Sequence, residues 1–238
     1  MPDSNRLLEA HERLVAHYDI DRWHWKEDTG PLDICLGAIL VQHTAWGNVE
    51  KAIDRLRSAG AHSIDALLKL TEPEIGELIR PAGTPVGKSR RLKVFAELVT
   101  SHGGFEGLFD RPMEELRTLL LGTYGIGPET ADVIVLYAAK QPGVVHDAYT
   151  ARLCGRLGIG PSNPTPHPPP RRRGGGDRYE DWRAWLDATL PYDLDYRRRN
   201  HAAIVVHCKE LCRTKPRCAS CPLREICEYA RVARADGA

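Results

Sequence analysis

The 238-residue chain has almost no net charge: 33 lysines and arginines face 32 aspartates and glutamates, leaving +1 at pH 7. That balance excludes a protein that holds a polyanion by bulk charge. Any such partner must meet a local patch and backbone donors. No apolar stretch approaches the roughly 20 residues that a membrane span needs. The N-terminus, MPDSNRLLEAHERL, has no signal-peptide core, so the expected location is the cytoplasm. Strand patterning is also scarce. Only GVVHDAY (143–149) reads as one, and it is short.

What is present is helical periodicity. Residues 5–18, 32–43, 47–59, 63–70, 72–79, 88–102, 112–121, 128–140 and 147–157 each place apolar side chains three and four apart. Thr71 with Glu74 predicts a capping box, and Pro73 is tolerated in that first turn. Glycines at 60, 83, 103 and 104 are expected stops. Proline, arginine and glycine runs over 160–178 bury no apolar area and read as a linker or surface loop, with Arg171–Arg173 solvated. Helical patterning resumes at YEDWRAWLDATLP and DYRRRNHAAIVVHCKEL, where Trp182 and Trp185 read as core. The fold class is all-α.

Seven cysteines are unevenly spread. Cys35 and Cys154 sit alone in apolar segments and read as buried hydrophobes. The other five, at 208, 212, 218, 221 and 227, crowd together, which without an export signal reads as a metal site before disulfides. A zinc ribbon would show two C-x-x-C pairs; here there is one. Four close thiolates also suit a [4Fe–4S] cluster.

The stretch LGTYGIGPETADVIVLYAA (121–139) reads as helix, glycine turn, helix. Gly125 and Gly127 are expected to supply backbone angles and close approach that a side chain would forbid. Pro128 suits the first helical position. The free N–H groups at that helix start form an anion seat.

This stretch resembles the helix-hairpin-helix of the endonuclease III superfamily of DNA glycosylases. LGAILVQHTAWGNVEKAI (36–53), VVHDAYTARLCGRLG and CRTKPRCASCPLREICEY follow in the family's order. The resemblance implies two helical domains: a six-helix barrel over about 30–140 with the hairpin at about 112–140, and an iron–sulfur domain made of 1–29 plus 141–238. It implies double-stranded DNA with a damaged base as partner, the protein acting as a monomer. Gly125, Gly127 and Thr130 would grip a phosphate, with Lys215 and Arg217 as further backbone contacts. Gln42 would fill the gap left by an extruded nucleotide. Lys88, Arg90 and Arg91 are further candidates for phosphate. Cys212, Cys218, Cys221 and Cys227 would hold the [4Fe–4S] cluster, with Cys208 as alternative to Cys212.

The family's aspartate corresponds to Asp147, which would counter the oxocarbenium charge and activate water. It also suits the N-cap of the following helix. His146 reads as packing. Lyase-competent members carry a lysine where this chain has Glu129, and a carboxylate forms no imine, so a monofunctional enzyme is implied. Glu129 serves either the pocket or the helix dipole. The branch with 3-methyladenine glycosylases is the most similar. It implies N-alkylated purines as substrates, with Trp25 and Trp46 stacking the base and Trp23 in the core. The alternatives are a glycosylase for mispaired uracil or thymine, and a DNA-structure binder with weakened catalysis.

Overall fold

The computed structural model describes residues 3–23, 25, 28–161 and 176–235. All regular structure among them is helical. No helix of these residues is long and apolar enough to cross a membrane. The chain forms two compact units, 27–141 and 1–26 with 142–238.

The 27–141 unit is built on two helices with no solvent face. In α2 (Pro31–Leu40) every residue from Ile34 to Leu40 is buried. A helix apolar all round belongs in a core. The second helix is α9 (Pro128–Val133), which runs on as a π turn over Ile134–Ala138, with Thr130–Ala138 all buried. It packs against α2. Around them lie α3 (Trp46–Ser58), α4 (Ile64–Lys69), α5 (Glu72–Leu78), α6 (Pro85–Ser101), α7 (Gly104–Phe109) and α8 (Met113–Leu121). The capping box at Thr71 forms in full, with Glu74 closing back on the Thr71 amide. The hairpin helices α8 and α9 are tied by a buried ion pair, Arg117 Nε to Asp132 Oδ1 at 2.7 Å.

In the other unit, α1 (Asp3–His17) packs on α12 (Leu194–Glu210), and α10 (Ala148–Leu157) packs on both α12 and α13 (Glu228–Ala235). Helix α11 spans Gly176–Thr189. The fully buried Arg197 closes this unit where the chain enters it. Its guanidinium donates to the carbonyls of Pro142, Pro191 and Leu190 and to Asp187.

Three expectations change. GVVHDAY is extended up to Asp147 but pairs with nothing as a strand, and its last two residues open α10. Helices α7 and α13 are not among the segments that the periodicity marks. The segment 160–178 overlaps the start of α11; residues 162–175 lie outside the described residues.

Candidate nucleic-acid and base-excision site

In the 27–141 unit the hairpin turn separates the two glycines. Gly125 has φ +78°, and a Cβ there would lie 2.4 Å from Arg91 Cγ. Any other residue there would be strained in its backbone and would displace Arg91. Gly127 is under neither constraint. As N-cap of α9 it has φ −91° and ψ 174°, and an added Cβ would meet nothing within 4 Å. The expectation of a forbidden backbone angle fails there; the glycine instead leaves open space ahead of α9. Pro128 takes the first helical position, no side chain caps the helix, and Glu129 lies in its first turn.

The side chain of Thr130 is buried, and its hydroxyl accepts from Gln42 Nε2 at 3.0 Å. Any anion at Thr130 would therefore meet its backbone. Arg91 Nη1 donates to the other end of the same amide, Gln42 Oε1. The three basic residues near the start of α6, Lys88, Arg90 and Arg91, divide their work. Lys88 is buried and donates to the carbonyls of Leu40 (2.8 Å) and Ala82 (2.7 Å), so it cannot reach a phosphate as expected. Burial, with Arg91 nearby, holds its pKa down at about 8. Arg90 is exposed, 4.4 Å above the half-exposed Tyr124 ring. Trp46 is the first residue of α3 and is half-buried. The N-cap of α6, Thr84, is left-handed (φ 45°), and Val86 in the first turn is exposed.

In the other unit Asp147 caps α10, its Oδ1 accepting from the Thr150 amide at 2.7 Å. Its Oδ2 lies 3.7 Å from His201 Nε2 of α12, an ion-pair distance rather than a hydrogen bond. Burial alone would raise the carboxyl pKa, but His201 and the Thr150 amide outweigh it and hold the group at about 2. Asp147 is thus an anion at any working pH. Nothing in the residues around Asp147 points to His201, because it lies 54 residues further along on another helix. Trp25 is buried and meets Trp23 edge-on, with ring centroids 6.0 Å apart; Trp23 in turn lies edge-on to His201. His146 stacks flat on Trp182 at 4.6 Å, the packing role expected of it.

Cys212, Cys218, Cys221 and Cys227 line one pocket, with Arg156 and His207 in its wall. Cys208 does not line it. Cys212 is held below the ordinary thiol range by a hydrogen bond from Cys208, with His207 and Arg156 adding to it against burial. Arg156 is the hub of this loop. It donates to Cys212 Sγ (3.1 Å) and to the carbonyls of Cys212 (3.2 Å), Arg213 (2.7 Å) and Thr214 (3.1 Å). No group of three or more His, Cys, Asp or Glu among the described residues is placed to hold a metal ion. Four thiols around one pocket, one of them held towards thiolate beside a guanidinium, are a donor set of the kind a [4Fe–4S] cluster takes. Lys215 and Arg217 are exposed on the loop between the first two cysteines.

Residues 36–172 match the model of the HhH-GPD superfamily of base excision DNA repair proteins. A Methanocaldococcus jannaschii protein assigned as a DNA repair glycosylase is 35% identical over 224 residues, 93% of this chain and 95% of its own length. Thymine-DNA glycosylase of Aeropyrum pernix is 25% identical over 95% of this chain and 96% of its own. Among solved structures, the 3-methyladenine DNA glycosylase of H. pylori bound to 1,N6-ethenoadenine superposes with a TM-score of 0.66 at 21% identity, covering 86% of this chain and 97% of that one. A hairpin with an open helix start, a buried ionised aspartate and a match over more than half the chain lead to one assignment: the protein belongs to the HhH-GPD superfamily of base excision DNA repair proteins.

Proposed function

We propose that this protein removes N-alkylated purines from double-stranded DNA by hydrolysis, without strand cleavage. As a member of its superfamily it is a DNA glycosylase of base excision repair. The finer reading rests on one observation, the buried Asp147 carboxylate fixed between the Thr150 amide at 2.7 Å and His201 at 3.7 Å, which keep it ionised. Breaking the bond between base and sugar leaves positive charge on the deoxyribose, and a fixed carboxylate stabilises it. A carboxylate with a pKa of about 2 is a poor base at neutral pH, which favours this electrostatic role over water activation. It also has no proton to lend. An N-alkylated purine needs none, because it already carries positive charge and departs neutral. Water then adds to the sugar carbon.

Glu129, at the position where lyase-competent relatives carry lysine, supports the hydrolytic outcome: it offers no amine for a covalent sugar adduct. Trp46, half-buried at the start of α3, would stack the cationic base, at about 0.5–2 kcal/mol. Backbone amides at Gly125, Gly127 and Thr130 would hold a phosphate, and Lys215 and Arg217 would meet the backbone further along. Gln42 would fill the gap left in the duplex.

Cys212, Cys218, Cys221 and Cys227 would hold a [4Fe–4S] cluster. Bound there, it would supply iron–sulfur bonds that fix the loop. Arg156 already orders that loop through three carbonyls and offsets thiolate charge at Cys212. Cys221→Ser is expected to lose brown absorbance and DNA affinity together; zinc in the purified protein would refute the cluster.

Excision from a panel of duplexes tests the substrate. Release of 3-methyladenine is expected, with no protein–DNA adduct trapped by borohydride. The full-length match to a thymine-DNA glycosylase favours mispaired thymine or uracil as the second reading. Release of those bases with none of 3-methyladenine would reverse the order.

A further inference from the structure

We propose that Arg91 is a positioning residue for Gln42, fixing the side-chain amide in the one orientation in which it enters the duplex. This rests on the reading of Gln42 as the residue that fills the gap. Arg91 donates to Gln42 Oε1, and Thr130 Oγ1 accepts from Nε2 at 3.0 Å. A guanidinium has no acceptor, so the end of the amide that faces Arg91 must be the oxygen. The glutamine is thereby oriented from both ends, by residues of α6 and α9.

Arg91 is itself seated. Its Cγ, Cδ and Nε lie 2.4, 2.7 and 2.6 Å from where a Cβ at residue 125 would be, so a side chain there would displace it. The seat leaves Nε buried with no hydrogen-bond partner among the described residues, an arrangement that stability alone would not select. Lys88, one turn earlier on α6, pins the Leu40 carbonyl two residues before Gln42. Helix α6 therefore sets the glutamine at the backbone and again at its tip. A side chain held this way enters the duplex without first losing its rotamer freedom. The exposed Arg90 remains the phosphate candidate of the pair.

The test is a double-mutant cycle on the full chain. It reads the preference for a duplex with a tetrahydrofuran abasic analogue over an intact duplex, so it does not depend on which base is excised. Arg91→Ala is expected to lower that preference about tenfold in the wild-type background and less than about twofold in the Gln42→Ala background. Gly125→Ala, which unseats Arg91 without removing it, should behave as Arg91→Ala does and add nothing to it. Should Arg91→Ala not fold, Arg91→Lys carries the cycle, because lysine keeps the charge without the planar fork; wild-type behaviour from it overturns the proposal. Equal losses in both backgrounds make Arg91 a direct phosphate contact and also overturn it. A preference lost in Gln42→Ala but kept in Arg91→Ala refutes the role of Arg91 alone. A preference unchanged in Gln42→Ala refutes the reading of Gln42 beneath it.

Discussion

Two helix starts in this molecule solve one electrostatic problem in opposite ways. Helix α10 begins at Asp147, whose carboxylate turns back onto the Thr150 amide. Helix α9 begins at Gly127, where no side chain caps the helix and the space ahead is open. Both ends carry the partial positive charge of unsatisfied N–H groups. At α10 the protein supplies its own anion, and the helix holds that anion ionised. At α9 it supplies none, which leaves the end to an external one, in our reading a DNA phosphate. The same physics fixes a reactive group in one unit and offers a binding seat in the other. The difference lies in a single residue at each N-cap.

The sharpest way to break this contrast is Asp147→Asn. Asparagine caps a helix about as well as aspartate, so α10 should be unaffected while the charge disappears. Single-turnover base release is expected to fall by roughly 10²–10³-fold, with affinity for lesion DNA nearly unchanged. Equal release rates would remove Asp147 from the chemistry. The same substitution separates charge from cap in acid. The folded carboxyl sits at about 2, against an ordinary aspartate value of 3.8, so its ionisation stabilises the protein above about pH 4. That contribution is lost as the pH falls towards 2 and amounts to something on the order of 2 kcal/mol. Acid unfolding of the two proteins should differ most above pH 4 and converge near pH 2.

Next in size is the converse exchange, Gly127→Asp. The backbone at Gly127 is in the ordinary extended region, and a Cβ meets nothing, so aspartate fits without strain. It would cap α9 as Asp147 caps α10 and put a negative charge in the proposed seat. Thermal stability should hold or rise slightly, while DNA affinity falls about tenfold. Affinity that survives a self-capped α9 would show that the phosphate sits elsewhere.

Much of this contrast was legible in the sequence, for a physical reason. Caps, prolines at first helical positions and the apolar stripes of α1, α3 and α12 are local, so Asp147, Pro128 and the Thr71 box could be placed from neighbouring residues alone. What escaped is non-local. His201 beside Asp147, Arg156 inside the cysteine loop and the bond from Arg91 to Gln42 join residues 49 to 57 apart in the chain. No periodicity records such pairings. Lys88 shows the hazard. Beside Arg90 and Arg91 it reads as one of three solvent-facing cations, yet it is buried against two carbonyls. The two hairpin glycines look equivalent in G-I-G, and only the structure separates a glycine required by its φ angle and by Arg91 from one that merely leaves room.

That separation yields the smallest predicted effect and the finest test. Alanine at Gly125 must adopt a left-handed backbone and displace Arg91, at a cost of about 1–2 kcal/mol. Alanine at Gly127 keeps an allowed backbone and points into open space; as a poorer N-cap it should cost only about 0.5 kcal/mol. Denaturant unfolding of the two variants measures the gap. DNA affinity then asks a different question of each. The Gly127 methyl stands where an anion would approach and should weaken binding despite its small cost to folding. The Gly125 methyl should also act through Arg91 and Gln42, so its effect on the preference for an abasic over an intact duplex should vanish once Gln42 is alanine. If the two variants instead lose stability and affinity in the same proportion, the turn is a single structural unit, and the division between a seat for arginine and a seat for phosphate does not hold.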